Sequence, residues 1–532
     1  MIASTCMLFY RRNFLKEQQI GIVPRSGYRL GDNQSRIALE WFTWLEEKNN
    51  ISIVHALRDR EIKTPNGVKL DGNVKTYYDV KKNSKGEDIE KIRYVDVCSL
   101  YPWVLKTGCF PIGHPKVYVA DACENIAPSK NIDNVQGLIK CRVLPPRNLY
   151  HPVSPVRAHG KLLFPLCQSC CQDQTQTDCH HENISDRELC GTWVACELRK
   201  AVEKGYVIQK IDEIWEYQVV QYNPQDKNSA GLFEGYINTF LKIKQQASGW
   251  PSQCVDEKSK QEYLDRYEER EGVKLEQEKI EKNPGLRSLA KLFLNSFWGK
   301  FGQRENMKKK PIVRTCEELY DLVFDPEIEI TEFVPINKDS IIVNWINNVD
   351  SYTPSDRANV VIAAFTTAQA RLKLYSYLDY LDTKVLYYDT DSVIYVSDGN
   401  RDLPTGDFLG DLTDELESYG EGSYISSFVS GGPKFYTYVV KKPDGSTAEC
   451  CKLKGVKLNV ESSELINYNT VRSLVVDNID PFHVQYKCIR RDQYHQVLTK
   501  KETKIIRATG PKRRRVGVAD SFPYGYKRAK KE

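Results

Sequence analysis

The sequence predicts a mixed α+β protein, and three observations carry that prediction. Short runs of strand-forming residues flank tight turns, most clearly in "VLYYDTDSVIYV" at 385–396. Apolar residues recur at helical spacing in separate stretches at 232–246, 285–298 and 359–380. The 532 residues, 41% hydrophobic and 28% charged, suit a globular chain of a few domains.

Residues 1–72 read as a mixed α/β piece, with a helix start at Asp32–Ser35 followed by Ile37, Trp41, Trp44 and Leu45 at helical spacing. Residues 73–91 read as a strand and a loop, "NSKGED", and 92–97 as a short apolar strand. Proline and short strands fill 110–166, and a cysteine cluster follows at 167–196. A helix is expected over 232–246. The charged stretch 256–282 reads as a helical, solvent-exposed insertion. The next helix, 285–298, begins after Pro284 and is closed by Gly299. Strand-like segments occupy 311–345. The helix 359–380 leads into the hairpin, and shorter strands and helices follow residue 400. There is no internal repeat and no apolar run long enough to span a membrane. "MIASTCMLFYRRNFLK" meets Arg11 and Arg12 too early for a signal-peptide core, so the expectation is an intracellular protein.

The net charge of +5 hides an asymmetry, because residues 503–532 carry ten Lys/Arg against Asp520 and Glu532. This basic segment, with Phe522, Tyr524 and Tyr526 interleaved, suits a phosphate backbone and equally a solvated end. "KRRR" within it also has the form of a nuclear import signal.

The hairpin tip places Asp389 and Asp391 close together. A solvated turn is one reading and a metal site the other. Asp96 ends a second apolar strand, in "YVDVCSLYP". If the tertiary fold joins them, Asp96, Asp389 and Asp391 form a cluster that needs cations, and hard oxygen ligands favour Mg²⁺, with Mn²⁺ an alternative. Two such ions about 4 Å apart would clamp the attacking and leaving oxygens of a phosphoryl transfer. Arg287, Lys291 and Asn295 recur every four residues and so share one helix face, while Leu286, Leu289, Phe293 and Phe297 are expected to pack elsewhere. Such a face suits a triphosphate, and by itself it is also an ordinary charged surface.

Six of the 16 cysteines are Cys167, Cys170, Cys171, Cys179, Cys190 and Cys196. Without a secretion signal, metal binding is favoured over disulfides. Cys167-x2-Cys170 followed by Cys179 and His181 offers a zinc quartet, in which Cys171 or His180 could substitute.

"DVCSLYP", "KLFLNSFWG" and "YYDTDS", in this order, resemble the three polymerase motifs of family B DNA polymerases. "IGIVPRSGYRLGDNQS", "FLKIKQQASGWP" and "FVSGGPKFYTY" are similar to the protein-primed branch of phages, adenoviruses and Maverick/Polinton transposons. The resemblance covers nearly the whole chain and implies a right-hand polymerase of palm, fingers and thumb, with a zinc-binding insertion and others. It divides the chain into a partial N-terminal segment at 1–90, palm at 91–166 and 353–440, and a zinc-binding insertion at 167–230. Fingers follow at 231–302 with a charged insertion at 254–283, then a second insertion at 303–352, and thumb with the basic tail at 441–532.

The resemblance implies that Asp96 and Asp391 bind metal with Asp389 in support. Tyr101 would exclude a 2′-hydroxyl, Lys244 and Lys291 would contact the triphosphate, and Asn295 would shape the nucleotide pocket. Lys434 and Tyr436 would hold the primer end, and Lys452 and Lys454 would touch the DNA backbone. The implied partners are a DNA template and primer, dNTPs, and a terminal protein as primer. Trp298 stands where the family usually has tyrosine and remains a flat stacking surface. Relatives carry a proofreading exonuclease ahead of the first motif. Only about ninety residues precede Asp96 here, too few for that domain, and Asp59 and Glu61 lack its partner motifs. Two alternatives stay open. One is a reverse transcriptase, against which Thr390 between the aspartates argues. The other is an impaired DNA-binding remnant.

Overall fold

The computed structural model describes residues 70–223, 231–251, 253–303, 306–348, 358–400, 402–456, 460–491, 497–508, 512–517 and 519–528. The helix expected after Asp32–Ser35 and the Asp59/Glu61 pair lie outside these residues.

Along the described chain, β1 (Asp71–Asn73), β2 (Tyr77–Asp79) and β3 (Lys91–Val97) lead to α1 (Leu100–Thr107). Next come β4 (Cys109–Val119), β5 (Gly137–Leu144), β6 (Val156–Ala158) and β7 (Lys161–Leu163). The cysteine region holds α2 (Gln168–Gln172) and α3 (Ile184–Arg187), then β8 (Leu189–Val194), α4 (Ala195–Glu203) and β9 (Val207–Gln221). Three helices follow, α5 (Glu234–Gln246), α6 (Glu257–Glu271) and α7 (Pro284–Ser296). The next group is β10 (Ile312–Val313), α8 (Cys316–Val323), β11 (Ile328–Asn337) and β12 (Ser340–Asn347). Helix α9 (Val360–Leu381) runs into β13 (Val385–Asp389) and β14 (Ser392–Ser397). After them come β15 (Leu412–Asp414), β16 (Tyr424–Gly432), β17 (Phe435–Lys441) and β18 (Thr447–Leu453). The last elements are α10 (Val460–Leu465), α11 (Tyr468–Val476), β19 (Phe482–Arg491), β20 (Val497–Ile506), β21 (Arg514–Val516) and β22 (Asp520–Phe522).

A nine-stranded antiparallel sheet organises the centre, in the order β1-β13-β14-β3-β16-β17-β18, with β15 also on β3 and β2 on β16. Helix α9 is buried on almost every side, which explains why its sequence is apolar all round rather than striped. It packs in one core with Val95, Val97 and Val393 of the sheet, Val104 of α1 and Phe293 of α7. A second sheet, β4-β9-β5-β8, draws strands from both sides of position 166. A third sheet is β10-β12-β11.

Three expectations are corrected. The charged stretch 256–282 is α-helical only over Glu257–Glu271, with a single 3-10 turn at Gln277–Lys279, and is not simply solvated. Tyr263, Tyr267 and Glu271, spaced by four, are buried. The tyrosines pack against Trp250 and Phe408, and Glu271 forms a buried ion pair with Lys106 of α1 at 3.1 Å. The region 311–345 is interrupted by α8, which Thr315 and Glu318 start with a reciprocal capping box, a pattern present in "TCEE". Phe293 on α7 and Phe297 just past its end are buried as expected, but Leu286 and Leu289 are exposed.

Arg371 of α9 grips Glu197 of α4 with two hydrogen bonds, 2.7 and 3.0 Å, and both groups are buried. Removing one partner leaves an uncompensated buried charge. Arg371→Met should lower the unfolding free energy by about 3–5 kcal/mol, while the double variant with Glu197→Met should recover most of it. Denaturant unfolding checks this, and a single variant as stable as wild type would exclude the pair as a structural tie.

Candidate active site

Strands β3 and β14 are antiparallel neighbours with Ser392 opposite Asp96. Asp391 therefore stands at the hairpin tip beside Asp96. The tip is tightly held. Thr390 adopts a left-handed conformation, φ 65°, which is costly for a β-branched residue. Its N–H donates to the Leu70 carbonyl at 2.6 Å and its hydroxyl to Asp389 at 2.9 Å. The Asp391 carbonyl accepts from the Val97 N–H at 2.7 Å, stapling the tip to the strand that carries Asp96.

The Asp96 carboxyl is pushed up to about 8, first by burial, then by Asp391 and Glu415, while Lys291 and Lys452 oppose the rise. A proton or a cation must settle there. The donors are hard carboxylate oxygens, so Mg²⁺ fits them. In the sequence nothing separates Glu415 from its acidic neighbours in "DLTDELE". Its N–H donates to the Tyr94 carbonyl at 2.9 Å, just beyond β15, and this brings it to Asp96. Asp389 has a different environment. Lys434 pairs with it at 3.2 Å, and the Lys434 N–H donates to the Tyr387 hydroxyl at 3.0 Å.

Lysines act on these acids, Lys291 and Lys452 on Asp96 and Lys434 on Asp389. Arg287, Lys291 and Asn295 lie on the exposed face of α7. Arg287 donates to the Ser248 hydroxyl at 3.1 Å, just past α5. Lys244 of α5 reaches the Ser99 hydroxyl at 3.5 Å, at the turn into α1. Burial lowers the Lys244 ammonium below its ordinary value, although the nearby Cys98 opposes this, and Arg287 and Lys291 lower it further. Tyr101 stacks on Trp298 with centroids 4.4 Å apart, so the first and second motifs touch through their aromatics. Burial and then Asp391 raise the Tyr101 hydroxyl.

On the far side of the sheet path, Tyr436 of β17 lies opposite Lys452 of β18. Tyr436 is buried, its hydroxyl 3.2 Å from that of Tyr94. Lys452 lies over both rings, at 5.1 and 5.8 Å. The Lys454 N–H donates to the Lys434 carbonyl at 2.9 Å, which groups Lys434, Lys452 and Lys454 at one end of β17–β18.

The cysteine quartet also assembles. Ligand atoms of Cys167, Cys170, Cys179 and His181 all lie within 4.8 Å of one another. The three sulfurs are 3.5, 3.4 and 3.8 Å from His181 Nδ1. A tetrahedral zinc with bonds of about 2.3 and 2.05 Å requires S–N edges of ~3.6 Å, so the quartet fits zinc. Hydrogen bonds among the sulfurs raise the Cys170 thiol and lower that of Cys179. Cys171 is buried outside the quartet and His180 is exposed.

Paired carboxylates opposite a cationic helix are the arrangement that phosphoryl transfer uses. A family model described as DNA polymerase type B, organellar and viral, matches residues 76–261 and 257–383, more than half of the chain. The chain belongs to that family of DNA polymerases. Among solved structures, Phi29 DNA polymerase complexed with primer-template DNA, a post-translocation binary complex, is 13% identical. The match covers 93% of this chain and 78% of that one, with a TM-score of 0.48. The ternary complex of Phi29 DNA polymerase with primer-template DNA and incoming nucleotide substrates is 14% identical, over 95% and 67%, with a TM-score of 0.49. Comparison with curated proteins finds no match.

The Asp96 shift has a testable sign. The carboxyl sits near 8 in the folded chain against an ordinary 3.8, so the folded state keeps a proton that the unfolded state loses. The stability this contributes is present at low pH and is lost as pH rises toward 8. In divalent-free buffer, wild type should lose stability relative to Asp96→Asn between about pH 5 and 8, by at most about 1.4 kcal/mol per pH unit. Unfolding curves across that range check it, and added Mg²⁺ should flatten the slope.

Proposed function

We propose that this chain is a DNA-directed DNA polymerase. It would transfer nucleotidyl groups from dNTPs to a primer 3′-hydroxyl, or to a hydroxyl on a protein primer, along a DNA template. The observation that carries this reading is the adjacency of Asp96 and Asp391 on neighbouring strands, with Lys291 close enough to act on Asp96. Asp96 and Asp391 would hold two Mg²⁺ ions, which supply activation of the hydroxyl and charge neutralisation at the phosphates. The hydroxyl oxygen, having lost its proton, bonds to the α-phosphorus as the bond to pyrophosphate breaks. Lys244, Arg287 and Lys291 meet the charge that grows on the leaving pyrophosphate. Asn295 shapes the nucleotide pocket from the same face of α7. Tyr101, buttressed by Trp298, excludes a 2′-hydroxyl by volume. Lys434, held by Asp389, and Lys452 and Lys454 neutralise the primer strand. Tyr436 supports that row from beneath rather than by its own hydroxyl.

Primer extension on a DNA template with dNTPs and Mg²⁺ tests the assignment. Asp391→Ala should lower the rate about a hundred- to thousand-fold, the equivalent of several kcal/mol. Tyr101→Ala should raise ribonucleotide incorporation relative to deoxyribonucleotide. Extension that survives Asp391→Ala would remove the metal assignment.

Cys167, Cys170, Cys179 and His181 would hold one structural Zn²⁺, supported by the S–N spacing above. Metal analysis of purified protein should find about one zinc per chain, reduced by Cys170→Ser. Zinc far below that level in wild type would overturn the assignment.

A further inference from the structure

Within the basic segment that suits DNA by composition, residues 512–517 and 519–528 are folded against the protein. Arg513 and Arg514 are buried. Arg513 donates to the Tyr150 carbonyl at 3.0 Å and lies over the Tyr150 ring at 5.0 Å. Arg514 pairs with Asp178 and donates to the Gln176 carbonyl at 3.3 Å. The protein's own groups, among them one carboxylate, take up these two arginines.

The docking surface is the cysteine quartet itself. The Leu166 N–H, one residue before the first ligand, donates to the Tyr524 carbonyl at 2.7 Å. The N–H of the ligand Cys179 donates to the Tyr526 carbonyl at 3.2 Å. Asp178, which takes Arg514, immediately precedes that ligand. Between these bonds Gly525 adopts φ +87°, and a Cβ there would stand 2.4 Å from the Cys167 Cβ. Only glycine allows this approach. Tyr524 is buried in the same cluster as Cys167, Cys170, Cys171 and Cys179. Phe522 and Tyr526 stack at 4.4 Å, closing the segment on itself.

The other end of the clasp reaches the central sheet. Lys75 pairs with Asp520 at 2.7 Å, and the Thr76 N–H donates to the Ala519 carbonyl at 2.8 Å. The Ser521 hydroxyl bonds the Asn73 and Val74 carbonyls at 3.0 and 2.6 Å. Asn73 ends β1, which pairs with β13 so that Asp71 lies opposite Asp389. Contact thus runs from the quartet, through residues 513–517 and 519–528, to the strand beside the catalytic hairpin.

We propose that the metal-loaded quartet is the receptor for this segment, and that metal occupancy decides whether the clasp holds β1 against the hairpin. The proposal rests on the zinc reading above. The loop that carries the ligands has only α2 and α3, of five and four residues, for regular structure. Helices that short do not persist unaided. Without a metal, sulfurs and imidazole at these spacings lose what holds them, and the three anchors beside the ligands lose their register.

The test begins with metal analysis of the full chain. Zinc is then stripped with a chelator and restored. Tryptic cleavage at Arg513–Arg515 and Lys527 and hydrogen exchange over 70–76 are followed in each state. Stripping should raise cleavage about tenfold or more and speed exchange over 70–76, and zinc should reverse both. Gly525→Ala should open the clasp while zinc content stays near that of wild type. If zinc is present and lost on stripping but the segment stays protected, the clasp proposal falls and the zinc reading stands. If no zinc is found at the start, both fall. A segment already cleaved freely in loaded protein would also overturn it.

Discussion

The pairing of β3 with β14 is the constraint on which the rest depends. It sets two carboxylates side by side, and the Val97-to-Asp391 hydrogen bond keeps them there although Thr390 must adopt a strained backbone conformation. Like charges so close are costly unless cations answer them, and the surrounding architecture is organised to do so. Lys291 of α7, the helix that also bears Arg287, acts on Asp96, Lys244 of α5 lies near both cations, and Lys434 pairs with Asp389. The two aspartates of the tip thereby acquire different environments, one paired with lysine and one beside Asp96.

Packing makes this arrangement rigid. The apolar helix α9 lies in one core with β14, α1 and α7, so the elements that bear acids and cations share their buried neighbours. The charged helix α6 joins through the buried Lys106–Glu271 pair, and Glu271 also accepts the Leu409 N–H at 2.7 Å. That N–H lies two residues before Asp411, whose carbonyl accepts from Cys98 in the first motif. A stretch that looks like a solvated insertion thus braces the turn behind Asp96.

The site was legible wherever spacing alone carries geometry. Residues four apart on a helix must share a face, and a two-residue hairpin tip must gather its acids. A Cys-x2-Cys followed by Cys and His must bring the ligands near if the loop closes. Glu415 was not legible, because only the pairing of β15 with β3 brings it to Asp96. Tyr263, Tyr267 and Glu271 form a buried face at a spacing of four, but the charge around them hid it. The burial of Arg513 and Arg514 in the basic segment was hidden for a related reason. Composition counts arginines but does not reveal whether Tyr150, Asp178 or a phosphate will meet them.

By itself the sequence determined the local chemistry. It contained the strand that ends in Asp96, the acidic hairpin, the cationic helix face and the cysteine–histidine spacing, together with a motif order that resembles family B polymerases. Backbone propensity and side-chain periodicity act over a few residues, so these features survive without a fold. The tertiary structure alone decided which acids meet, that Asp389 answers Lys434, that Trp298 stacks on Tyr101, and that residues 524–526 close on the cysteine quartet. Those contacts join residues far apart in the chain. Their existence depends on strand register and on burial, which turn a generic charge into a partner of one particular group.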